Sequence, residues 1–204
     1  MQNKNINYLD FHNYDALTAD KSISDKLVES YQNIFGDPKL WGESYSDQDI
    51  NDKLQDELSG KASLRLCING EDNSEVLGFC WAQLLNFDGV KSAIESIQFY
   101  KTLGSPKIRE TLKSILKDES VLYLHDLGIS KQYRGKVSLQ SLICPVLNSL
   151  AEKSNTQRLF FWSIKDSRIF NLAKYTGFKL AATVEGMQFF IGDINTTRVQ
   201  AVCK

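Results

Sequence analysis

Apolar positions change their period several times along the chain, and each change marks an element. Tyr8, Leu9, Phe11 and Leu17 stand among polar neighbours, which predicts a first strand and the loop after it over residues 1–21. From Ser22 the spacing becomes three and four. Ile23, Leu27, Tyr31, Ile34 and Phe35 then fall on one face of a helix behind a Ser or Asp cap, and Gly36, Asp37 and Pro38 end it. A second helix follows Ser46, whose spacing to Asp49 resembles a capping box. Ile50, Leu54 and Leu58 repeat every four residues along it, and Gly60 closes it. Trp41, Glu43 and Tyr45 lie on the connection between these helices. A Trp plugging the gap between two helices is the plainer reading there, and a loop lining a substrate pocket the other.

Period two appears next. In ASLRLCIN the side chains of Ala62, Leu64, Leu66 and Ile68 point one way, and EVLGFCWAQLL returns after the turn NGEDN, so residues 62–85 read as an antiparallel hairpin. Residues 86–118 read as a helical insertion. Val90, Ile94 and Ile97 suit a short helix, and SPKIRETLKSILKD carries a Ser cap, a Pro at the first helical position, and Ile108, Leu112 and Ile115 on one face. The run Val121–Ile129 is a strand, Ser130–Lys136 a polar turn, and the following stretch to Leu150 an apolar-periodic helix in which Pro145 removes a hydrogen bond. RLFFWS is a buried strand, SRIFNLAKYTGF a helix ending near Gly177, and FKLAATV with MQFFIG a last pair of strands around a Glu-Gly turn. This order predicts an α/β fold with a mixed central sheet and helices on both faces, in one domain over residues 1–204. The tail 193–204 reads as a short strand or a loose end.

Composition narrows the function classes. A chain of 204 residues can bury a proper core, and a formal net charge of -1 offers no general attraction to nucleic acid or an acidic membrane. The polar N-terminus lacks the apolar core of a signal peptide and no apolar run could span a bilayer, so a cytoplasmic location is expected. Cys67, Cys80, Cys144 and Cys203 are scattered and only two histidines accompany them; neither a metal site nor a disulfide is expected.

Local charge is another matter. A strand feeding a helix through a basic, glycine-containing turn is a place for an anion. The unpaired N–H groups of the helix start converge there, the helix dipole adds positive charge, and Lys131, Arg134 and Lys136 add more.

The order of elements, LHDLGISKQYRGK before a helix and TGFK after a later one together resemble the GNAT family of acyl-CoA-dependent N-acyltransferases. The match of order covers nearly the whole chain, and the motifs occupy roughly residues 121–184. The resemblance implies a GNAT-like acyl-CoA N-acyltransferase fold and acetyl-CoA as acyl donor. Pantetheine would lie beside the strand ending at Leu127 to Ile129, which bulges and splays from its neighbour. The pyrophosphate would rest on the backbone amides of Arg134, Gly135, Lys136, Val137, Ser138 and Leu139, with Gly135 permitting a tight turn.

For catalysis, some members carry Glu-Asp where this chain has His125-Asp126, which implies a base there that takes the proton of the attacking amine. A lone His in a strand is more often a hydrogen-bonded structural residue, and an Asp at a bulge is often satisfied by backbone donors. The family's thiolate-protonating Tyr aligns with Ala173, so Tyr175 stands in as the acid candidate, with packing on the sheet its plainer role. Arg-x-x-Gly-x-Gly/Ala is the family's phosphate pattern, and here Val137 and Leu139 occupy the two small positions. Two readings follow: an N-acetyltransferase acting on a small-molecule or peptide amine by direct attack in a ternary complex, or a non-catalytic relative that binds a ligand or a protein. The resemblance also raises a homodimer formed through sheet edges and C-terminal strands.

Overall fold

The computed structural model describes residues 5–36, 44–70, 75–97, 106–117, 119–164, 167 and 178–194. Among the described residues seven strands form a mixed sheet, and the chain divides into two compact units, residues 1–83 with 125–150 and residues 84–124 with 151–204.

In the first unit, β1 (Ile6–Phe11) pairs antiparallel with β2 (Ala62–Asn69), and β2 with β3 (Val76–Leu85). The alternation in β2 is as expected: Ala62, Leu64, Leu66 and Ile68 all enter one buried core, opposite Trp81 and Phe79 of β3. A short α1 (Tyr14–Thr18), capped by Asn13, precedes α2 (Lys21–Phe35); its single buried side chain, Leu17, sets up no helical period. Asp20 caps α2 by accepting from the Ile23 amide, and Ile23, Leu27, Tyr31, Ile34 and Phe35 are all buried. Helix α3 (Asp47–Glu57) begins with a reciprocal capping box between Ser46 and Asp49. Burying Leu54, which is fully enclosed, is worth about 1.5–3 kcal/mol, and such burial is what holds this otherwise acidic helix to the sheet.

In the second unit, Asn86 caps α4 (Phe87–Ser96), and α5 spans Pro106–Leu116. The strand β4 (Val121–Ile129) begins here and pairs in parallel with β5 (Arg158–Ile164) at Leu122↔Leu159 and Tyr123↔Phe160. β7 (Met187–Asp193) lies antiparallel to β5 and to β6 (Lys179–Val184). The β6–β7 turn has Glu185 and Gly186 at φ 51° and 84°, the pair of positive values a two-residue hairpin turn needs. Val90, Ile94, Ile108, Leu112, Val121, Phe160 and Phe189 form the core of this unit.

The segment after β4 is a 3-10 turn, Lys131–Tyr133, followed by α6 (Leu139–Glu152), which is continuous through Pro145. Helices flank both faces of the sheet in the first unit: α2 and α3 pack on the face of Phe79 and Trp81, and Leu142 of α6 approaches Gly78 from the other. Cys67 and Cys80 are free and buried. Cys144 is disulfide-bonded, contrary to the expectation of four free thiols, because spacing along a chain does not tell which thiols meet in the fold. The expected helix over SRIFNLAKYTGF, with Ala173, Tyr175 and Gly177, lies outside the described residues except for Ser167 and Phe178 at its ends, and Trp41, Glu43 and the tail beyond Ile194 lie outside them as well. Among the described residues no helix is long and apolar enough to cross a membrane, and no cluster of His, Cys, Asp and Glu could hold a metal.

Candidate functional site

β4 breaks its own alternation at the two residues singled out for proton transfer. Successive side chains of a regular strand point to opposite faces. Yet Nδ1 of His125 lies 3.2 Å from Glu57 of α3, and Oδ2 of Asp126 lies 3.2 Å from Lys53 of the same helix. Gly128 then keeps to the Asp126 side, where a Cβ would meet Phe79 and Ile34. The strand is therefore irregular between His125 and Asp126.

Glu57 is the hub of what that irregularity assembles. Its Oε1 takes both Lys53 Nζ, at 2.5 Å, and His125 Nδ1, and its Oε2 accepts from Trp81 Nε1 at 2.7 Å. The His125 side chain is only 2% exposed, and its Nε2 lies 3.2 Å from Oε1 of Gln83. That amide is oriented by its own Nε2, which donates to the Ser59 carbonyl at 2.8 Å. Both ring nitrogens thus face acceptors; a neutral ring satisfies one of them and a protonated ring both. Asp126 is more open, with 15% of its side chain exposed, and also accepts from the Tyr31 hydroxyl at 3.4 Å. Tyr31 packs against Tyr45, Phe79 and Trp81 with ring centroids 5.4–5.8 Å apart.

The two carboxylates are driven apart in proton affinity. Burial works against the charge of Glu57, but the His125 imidazole and the Lys53 ammonium outweigh it and hold the carboxyl well below the usual range. Burial raises the proton affinity of Asp126; Lys53 opposes the rise and the Glu57 charge adds to it, leaving the group above the ordinary value. An acid that stays ionised beside one that holds its proton more firmly is an arrangement suited to proton transfer.

Lys53, Glu57, Gln83, Tyr31 and Trp81 were not singled out by sequence reasoning. One signal was present: Glu57 stands three residues after Leu54 and seven after Ile50, on the apolar stripe of α3, where a carboxylate needs a partner.

The turn after β4 is firmly braced. Glu75 accepts from Gln132 Nε2 at 2.9 Å and from the Tyr133 hydroxyl at 2.6 Å, while Arg134 Nε donates to the Ile129 carbonyl at 3.2 Å. Gly135 has φ 83°, the left-handed value its side-chain-free backbone allows, and nothing lies within 4 Å of where a Cβ would be. Of the amides expected to cradle a pyrophosphate, those of Lys136 and Val137 both donate inward to the Tyr133 carbonyl. Val137 is buried and unstrained, its side chain serving the core rather than the turn's outer surface. Ser138 caps α6 by accepting from the Ser141 amide at 3.2 Å. Leu139 and Gln140, at the helix start, have no preceding turn to receive their N–H groups. An anion would thus find the helix start and the Lys131, Arg134 and Lys136 side chains, a narrower cradle than six backbone donors. Leu127 and Ile129, the expected pantetheine neighbours, are half-buried on the strand leading there.

No protein-family model matches the sequence, and no curated protein matches it either. Solved structures do resemble it in fold. PH1933 from Pyrococcus horikoshii OT3 aligns with a TM-score of 0.59 at 16% identity, over 94% of this chain and 99% of that one. Arabidopsis thaliana NAA60, solved in complex with acetyl-CoA, aligns at 0.56 with 14% identity, over 94% and 99%. An acetyltransferase of the GNAT family from Staphylococcus aureus Mu50 gives 0.56 and 14%, over 94% and 100%.

Proposed function

We propose, on the premise that this chain has the acyl-CoA N-acyltransferase (GNAT) fold, that it is an N-acetyltransferase moving an acetyl group from acetyl-CoA to an amine in the cytoplasm. The observation that carries this reading is the break in β4, which brings His125 and Asp126 onto one side and leads to a turn with Gly135 at positive φ and a helix start at Leu139. Proton acceptor and anion site are then consecutive features of one strand-turn-helix unit.

Acetyl-CoA supplies an activated thioester carbonyl. The amine nitrogen forms the new C–N bond, the C–S bond breaks, and the departing sulfur is balanced by the proton the amine gives up. An ammonium has no lone pair for this attack, so a base must act first. Asp126, partly open and with raised proton affinity, is placed to take that proton directly or through water. His125, almost fully enclosed, holds the strand in its irregular path. Lys131, Arg134 and Lys136, with the amides of Leu139 and Gln140, would hold the pyrophosphate. Leu127 and Ile129 would border the pantetheine, and catalysis would come largely from positioning. Tyr175 remains the acid candidate for the leaving thiolate, and a homodimer the proposed assembly.

A second reading, a GNAT-like module that binds a ligand or protein without catalysis, is favoured by the inward-turned amides of Lys136 and Val137. Titration calorimetry with CoA and acetyl-CoA separates the two. Binding, with amine-dependent thiol release, is expected; no heat at millimolar ligand would sink the enzyme reading.

A further inference from the structure

We propose that Glu57 is the positioning residue of this site: a single carboxylate on α3 that orients the His125 ring and, through Lys53, places Asp126. The proposal rests on the acetyltransferase reading only for its kinetic consequence.

Three donors from three elements converge on the Glu57 side chain, Lys53 Nζ from its own helix, Trp81 Nε1 from β3 and His125 Nδ1 from β4. A buried carboxylate with that many donors is fixed in position. Its position then dictates the others. His125 is clamped between Glu57 on one nitrogen and Gln83 on the other, so the ring cannot turn without losing one of them. Lys53 bridges Glu57 and Asp126 at 2.5 and 3.2 Å, tying the more open carboxylate to the enclosed one. Asp126 is faced by Lys53 and Glu57 from α3, Tyr31 from α2, His125 on its own strand and Cys80 on β3. Of these, Glu57 is the carboxylate: its charge strengthens the hold of Asp126 on a proton and that of Lys53 weakens it. Glu57 itself is 7% exposed and its oxygens are taken up by three donors, which makes it a residue that acts through its neighbours.

The test is the titration of Asp126 followed by carbon-detected NMR on the full-length chain. Glu57→Gln removes a like charge and is expected to move the Asp126 titration to lower pH. Lys53→Met removes an opposite charge and is expected to move it to higher pH. Opposed shifts are a signature that a purely structural role would not produce, and an Asp126 titration unmoved in a folded Glu57→Gln protein overturns the proposal. Should Glu57→Gln fail to fold, the unaltered protein decides: 15N shifts of His125 must show Nδ1 carrying the proton it gives to Glu57, and a bare Nδ1 overturns the assignment. If acetyl transfer is detected, the acidic limb of the pH profile of kcat moves with Asp126 in each variant. Opposed titration shifts without any acetyl transfer would keep the positioning role and remove the function assigned to the site.

Discussion

The ammonium of Lys53 stands 3.2 Å from Oδ2 of Asp126 and 2.5 Å from Oε1 of Glu57, one cation shared by two carboxylates of opposite temper. The pH dependence of stability follows from that difference. Glu57 titrates lower in the fold than in the unfolded chain, where a Glu titrates near ~4.3. Its stabilisation is fully present above that value and lost as pH falls through the folded one. Asp126 has the opposite sign: its folded value is raised, so its contribution is present below ~3.9 and lost as pH rises through the folded value. Urea unfolding across acidic pH should show that Glu57→Gln flattens the acid-side loss of stability and Asp126→Asn does not. The reverse pattern would contradict the assignment of the two carboxylates.

Trp81→Phe keeps the ring packing with Tyr31 and Phe79 but leaves Oε2 of Glu57 without its indole donor. A loss of about 1–3 kcal/mol is expected in equilibrium unfolding. A neutral outcome would mean that the indole hydrogen bond adds nothing to the hub.

Gly128→Ala would place a methyl 2.6 Å from Cζ of Phe79 and 2.8 Å from Cε2, with Ile34 close behind. Both side chains are buried in the core, so the substitution should cost about 1–3 kcal/mol. A melting temperature equal to that of the unaltered protein would show that the core beside β4 is looser than described.

His125→Ala should lower kcat by about tenfold or more while raising the Michaelis constant for the acyl donor much less, because the ring acts on the strand that carries Asp126 and not on the phosphate turn. Equal turnover in steady-state assays would remove His125 from the mechanism.

Gly135→Val forces a β-branched residue to φ 83° and should cost on the order of 1–3 kcal/mol while weakening CoA binding several-fold by calorimetry. Unchanged affinity would move the pyrophosphate elsewhere.

Much of this was written in the chain's periodicities. The Ser46–Asp49 box and the face of Ile23, Leu27, Tyr31, Ile34 and Phe35 are local patterns that the fold keeps, and Ala62, Leu64, Leu66 and Ile68 share one core although β2 is buried on both faces. The His125-Asp126 pair was visible because two titratable residues interrupt an apolar strand. Its partners were not, since Lys53, Glu57 and Gln83 lie 42 to 73 residues away and are joined to it only by tertiary packing. The phosphate turn shows the other limit. Val137 looked like an obstruction to an anion, yet its side chain is buried and its backbone holds an ordinary φ; what spends its amide is the carbonyl of Tyr133, a contact no residue type announces.

Around Gly135 there is room but the wrong hand. No heavy atom stands within 4 Å of the position a Cβ would take, so what bars other residues there is chirality alone. Gly135→Asn should therefore cost less than Gly135→Val, because Asn is an L-residue that visits left-handed backbone readily and the Cβ it adds meets nothing.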